Sequence, residues 1–189
     1  HKLGGVVEFE VKTDKFSRLA AQAGKQVIIQ AIREAEKVTG EGILAMMKAS
    51  KPGMYEYQYK AEFDYALSQH SPCGPGFPSI ISAGANNFCI HYYGSEGQAK
   101  DGDMILNDVG ARYDFLGTDV SRGFPCNGKF SEKQRQLYMA AYNTSEYLFS
   151  IIKPGMPMHR VDEIAKEYIN EQKESIMSSV IVALVMLII

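Results

Sequence analysis

Between Thr13 and Ala49 the apolar residues Leu19, Ala23, Ile28, Ala31, Ala35, Val38, Ala45 and Ala49 recur every three or four positions with charges between them. This is the spacing of one helical face, and it predicts a long amphipathic helix bent near Gly24 or Gly40. Lys51-Pro52-Gly53-Met54 stops it, and Tyr55, Tyr59, Phe63 and Leu67 stripe a second helix on which Glu56 and Lys60 pair at i,i+4. Pro and Gly crowd the loop from Ser71 to Gly84, which leads into a short strand at Ser79 to Ala83. Phe88 to Tyr92 and Met104 to Val109 read as strands, the second preceded by an Asp101-Gly102 turn, and a strand around Phe115 to Ser121 completes a hairpin. Ser131 with Gln134 forms a capping box that opens a third helix through Leu137, Ala141, Leu148 and Ile152. Pro157 starts a fourth, running to about residue 172, which buries Val161, Ile164, Ala165 and Tyr168.

Lys-Pro-Gly-Met occurs at 51 and again at 153, each time between a long amphipathic helix and a shorter one. The shared context predicts an internal repeat. After the first copy come strands bearing His91, Asp108 and Asp119; after the second comes an apolar tail, Val180 to Ile189. The uncharged stretch reaches back only to Ser175, short of the roughly 20 residues a membrane helix needs, so no membrane span is expected. The sequence predicts three segments: 1–13 as a remnant of something upstream, 14–174 as one partial catalytic domain, and 175–189 as a non-native tail or truncation scar.

Composition narrows the function classes. With 46% hydrophobic residues, 22% charged and a net charge of −2, the 189-residue chain has the make-up of a soluble globular protein. Its cations are scattered rather than clustered, which sets nucleic-acid binding aside. Three cysteines far apart, with no Cys-x-x-Cys pair and no secretory leader pattern, suit a reducing cytoplasm.

The chemistry concentrates in Gly102 to Ala111 and Gly117 to Arg122. A hairpin turning near Tyr113 and Asp114 would set Gly110 against Gly117 and Asp108 opposite Asp119, with Cβ atoms about 5 Å apart. Two carboxylates on a hairpin are ordinarily solvated turn residues. Asp108, however, lies inside an apolar strand, where a carboxylate without a partner is costly. Facing carboxylates repel unless a cation or a shared proton intervenes. Such hard oxygen donors suit Mn, Mg or Ca, and Zn or Co when a His joins them. His91, on its own sequence, reads as a strand histidine satisfied in the core. His70, His159 and the His70/Cys73 pair carry no strong metal signal, and the Asn143-Thr144-Ser145 sequon falls inside a predicted helix.

Several segments together, Ser82 to Asn87, Ile90-His91-Tyr92, the Asp-x10-Asp of Asp108 and Asp119, and Phe124 to Ser131, resemble the aminopeptidase P and prolidase branch of the pita-bread-fold metallopeptidases. The resemblance spans roughly residues 16 to 172. It implies an α+β fold, a partial pita-bread (creatinase/aminopeptidase) architecture of antiparallel sheet flanked by helices, with its second half truncated. It further implies Asp108 as a ligand of one metal, Asp119 as a bridge between two, and His91 beside the scissile bond. The cofactor would be two divalent ions, Mn first and Co or Zn as alternates. The reaction would be release of an N-terminal residue from a peptide with Pro next in line, in a family often homo-oligomeric. Prolidase, cleaving Xaa-Pro dipeptides, and a noncatalytic binding module of the same fold are the alternatives.

The family completes its site with a His and two Glu from the second half of the fold, and no His follows His159 here. The chain on its own is therefore expected to bind a metal pair poorly, to be inactive alone, and to expose apolar surface that favours association.

Overall fold

A computed structural model of the chain describes residues 18–70 and 74–171. Helix α1 (Arg18–Ala49) runs unbroken across Gly24 and Gly40, and α2 (Glu56–Ser68) returns along it. A three-stranded sheet of β1 (Ile80–Ala83), β2 (Met104–Val109) and β5 (Val120–Pro125) follows, and between β2 and β5 in sequence β3 (Arg112–Tyr113) and β4 (Leu116–Gly117) pair as a separate two-stranded sheet. A short 3₁₀ turn, Gly84–Phe88, follows β1. Two helices close the order, α3 (Glu132–Ile151) and α4 (Met158–Glu171).

The three-stranded sheet has the order β1-β2-β5, antiparallel throughout. Strand alternation sends Ile105, Asn107 and Val109 of β2 to one face and Leu106 and Asp108 to the other. The first face packs on the helices through one continuous core: Val38, Ile43 and Met46 of α1, Tyr59, Phe63 and Leu67 of α2, and Ile81, Ile105, Val109 and Phe124 of the sheet. The stripe on α2 thus buries as its spacing predicts. On α1 only the C-terminal half does so: Ala31, Ala35 and Val38 are buried, whereas Leu19 and Ile28 stay exposed.

The Lys-Pro-Gly-Met repeat is a repeat of structure as well. In each copy the Met N–H donates to the Lys carbonyl, at 3.3 Å for Met54 to Lys51 and 3.1 Å for Met156 to Lys153. Gly53 and Gly155 take φ of 90° and 88°. Pro followed by a positive-φ Gly is the type II turn, so each copy reverses a long helix into a shorter one. The predicted capping box of α3 forms as well, with Ser131 Oγ accepting from Gln134 N at 3.3 Å and Ser131 N donating to the Gln134 side chain at 2.8 Å.

Two expectations are corrected. Phe88 to Tyr92 is not a strand: after the 3₁₀ turn the chain passes through an exposed bend in which His91 takes φ 55°. The hairpin turns one residue later than its apolar pattern suggested, around Asp114 and Phe115, both with positive φ (44° and 70°). This is the type I′ geometry, whose twist matches that of the flanking strands and which fixes register. Gly117 consequently pairs with Arg112, and Asp108 with Ser121. No helix among the described residues is long and apolar enough to cross a membrane. The predicted segments 1–13 and 175–189 lie outside the described residues.

Candidate metal centre

Asp108 sits on the central strand, between Ile80 of β1 and Ser121 of β5. The later turn does not separate it from Asp119, because a shift of two positions along a strand returns to the same face. The two aspartates are still neighbours, diagonal rather than direct. Ser121 Oγ donates to Asp108 Oδ1 at 2.9 Å, a partner that the register expected from sequence had hidden.

The electrostatics of this corner are those of a crowded anion pair. Burial pushes the Asp108 carboxyl above its ordinary range, and the Ser121 hydrogen bond opposes that. The like charge of neighbouring Asp119 pushes it higher again, and His91 pulls it down. Two carboxylates this near each other repel unless a proton or a cation comes between them. Asp119 is exposed and so is His91, which excludes the core-histidine reading. Asp119 also borders a cleft of about 500 Å³ between β5 and α3, lined by Ser121, Arg122, Tyr138, Tyr142 and Glu146.

Backbone geometry at the pair is set from α1. Thr39 is fully buried, and its Oγ1 accepts from Ala111 N at 2.8 Å and shares a 2.6 Å hydrogen bond with Thr118 Oγ1. Ala111 and Thr118 are themselves paired, Thr118 N to Ala111 O at 3.0 Å. One helix hydroxyl therefore grips both strands beside the two aspartates. Thr39 was not singled out from sequence, since a lone Thr in a helix carries no signal of what it touches.

Among the described residues no group of three or more His, Cys, Asp and Glu is placed to hold a metal ion. The structure brings Asp108 and Asp119 together and sets His91 near them without making it a third donor of such a group. His70 instead pairs with Glu41 at 2.7 Å.

Residues 30–182 match the model of metallopeptidase family M24. The chain belongs to that family. A second match, to the NusA N-terminal domain, covers residues 1–38. The chain is 32% identical over 127 residues to the Xaa-Pro aminopeptidase of Escherichia coli, covering 67% of the chain and 29% of that protein. To human Xaa-Pro dipeptidase it is 32% identical over 142 residues, covering 70% and 29%. Among solved structures, an E. coli aminopeptidase P variant with bound substrate superposes with a TM-score of 0.73 at 28% identity, over 78% of this chain and 33% of that one. A zinc-substituted form of that enzyme with bound product gives 0.71 at 26% identity, over 78% and 37%. The chain thus has a partial pita-bread fold, helices packed on an antiparallel sheet, and spans about three-tenths of the length of these curated M24 relatives.

Proposed function

We propose that this chain is the part of an Xaa-Pro aminopeptidase that supplies Asp108 and Asp119 to a divalent metal centre, with His91 next to the scissile peptide bond. The observation that carries the reading is the pair itself, two aspartates brought to one side of the sheet, with the charge of Asp119 close enough to disfavour ionisation of Asp108. Hard oxygen donors crowded in this way fit a divalent cation of the Mn type, which offsets both charges at once. When bound, such a cation supplies Lewis acidity and lowers the pKa of water for peptide hydrolysis. The chain's own residues do the rest: Ser121 orients Asp108, Thr39 fixes the strands, and His91 donates a hydrogen bond to substrate. The working location is the cytoplasm.

Two carboxylates leave most coordination positions to water, so binding by the described residues is weak and turnover by this chain alone is absent. In a thermal-shift titration with Mn²⁺, a peptide with Pro second should raise the melting temperature, and a peptide with Ala second should not. Asp108→Ala should abolish the rise. An equal rise in that variant contradicts the metal reading, and robust turnover contradicts the inactivity. Prolidase activity is the second reading, favoured by the equal identity to the human dipeptidase; preference for dipeptides over longer peptides would establish it.

A further inference from the structure

Glu56 opens α2 and is fully buried, where a carboxylate is costly unless its lone pairs are satisfied. Its partners lie far off in sequence. Oε1 accepts from Ala83 N at 2.8 Å and from Asn86 Nδ2 at 2.9 Å, and Oε2 accepts from Gly97 N at 2.7 Å. Ala83 ends β1 and Gly97 lies fourteen positions on, so one side chain grips the two feet of the loop that carries His91. The loop interior is tied to the same carboxylate. Asn86 Nδ2 also donates to the Tyr92 hydroxyl at 3.1 Å, and burial first, then a hydrogen bond to Glu56, holds the Tyr92 phenol above its ordinary range.

Backbone bonds reinforce the second foot, Glu56 N to Gly97 O at 2.8 Å and Tyr57 N to Ser95 O at 3.0 Å. Position 97 has no room for a side chain: a Cβ there would lie 2.6 Å from Glu56 Oε1 and 2.5 Å from Asn86 Nδ2. By contrast, the loop tip is loosely held. Phe88, Ile90 and Tyr93 are exposed, and His91 and Ser95 both sit at positive φ.

We infer that Glu56 is a positioning residue, whose carboxylate staples both feet of the 84–97 loop and thereby holds His91 beside Asp108 and Asp119. The inference rests on the role proposed above for His91. Glu56→Gln preserves size, but in either orientation of its amide one foot loses an acceptor and meets a donor instead.

The test is NMR on the full 189-residue chain with labelled histidine and backbone amides. In Glu56→Gln, exchange of the Gly97 or Ala83 amide should accelerate about 10-fold or more, as loss of a charge-assisted hydrogen bond implies. The His91 imidazole signal should shift or broaden, while the amides of Ile105 and Ala111 keep their protection. Unchanged loop exchange and an unmoved His91 signal would overturn the inference, and so would uniform acceleration that includes Ile105 and Ala111. Should that variant fail to fold, Gly97→Ala attacks the same contact from the other side and must move the His91 signal likewise. Added Mn²⁺ separates the two readings. If the wild-type His91 signal is not broadened by Mn²⁺, the metal reading fails, while the exchange data still decide the role of Glu56.

Discussion

The sheet region, from the middle of α1 through Cys126, and the α3–α4 pair are held together in different ways. In the first, two helices and three strands share one core whose largest members, Tyr59, Phe63, Met46, Ile81 and Ile105, are completely buried. In the second, Leu148, Val161 and Ala165 form a small cluster of their own. Phe149 and Met158 there are 77% and 71% exposed. Long-range packing fixes the first region, and capping, local turns and a stacked Tyr147–Tyr168 pair fix much of the second. Both aspartates of the candidate site belong to the first, on or next to strands that long-range packing fixes, while α3 contributes one wall of the cleft beside Asp119.

The comparison breaks most sharply at Phe63. Phe63→Ala removes a fully buried ring from the shared core and should cost about 3–5 kcal/mol, seen as a lowered denaturant midpoint of the sheet region. Thr39→Val leaves the buried Ala111 N–H without its acceptor and the Thr118 hydroxyl with only the Ala111 carbonyl. It should cost roughly 1–3 kcal/mol and weaken Mn²⁺ binding with both aspartates intact. On the other side, Ser131→Ala removes the α3 cap and should cost about 1 kcal/mol. Hydrogen exchange should locate that loss in α3 and leave β2 unaltered.

A pH effect should also be confined to the first region. Burial raises the Tyr59 phenol above its ordinary 10.0, partly opposed by its hydrogen bond with Ser50. The unfolded chain then gives up that proton before the folded one does, so the folded state holds more protons as pH rises past 10. Stability contributed by Tyr59 is intact below that value and is lost above it. Tyr59→Phe should flatten this alkaline decline of the melting temperature, the smallest of these effects; an unchanged slope would contradict the burial argument.

Much of this architecture can be read from spacing, because α2, β2 and α3 each follow one dominant local rule: a 3- and 4-residue stripe, an apolar run after Asp-Gly, and a capping box. The hairpin register could not be read in this way. It is decided by a type I′ turn at Asp114-Phe115, where a Phe 98% exposed adopts a positive φ that its residue type disfavours. A misplacement by one turn residue kept both aspartates on one face but concealed Ser121. The bend at His91 follows from anchoring at both ends of its loop, which no local pattern encodes.

Glu56 had a signal that was open to two readings. Its spacing to Lys60 suggests an exposed ion pair, yet Lys60 bonds Asp64 at 3.4 Å instead. Positions 56, 59, 63 and 67 form a single helical stripe, and all four residues are buried. A carboxylate at the head of an apolar stripe is the mark of a buried acceptor awaiting distant donors.

The central claim is that Asp108 and Asp119 serve one cation together. Mn²⁺ titration followed by electron paramagnetic resonance, on the full chain and on Asp108→Ala, Asp119→Ala and the double variant, tests it most directly. A shared site predicts that either single substitution removes the bound fraction and that the double variant is no worse than either single. Binding that survives each single change, or losses that simply add, would contradict it.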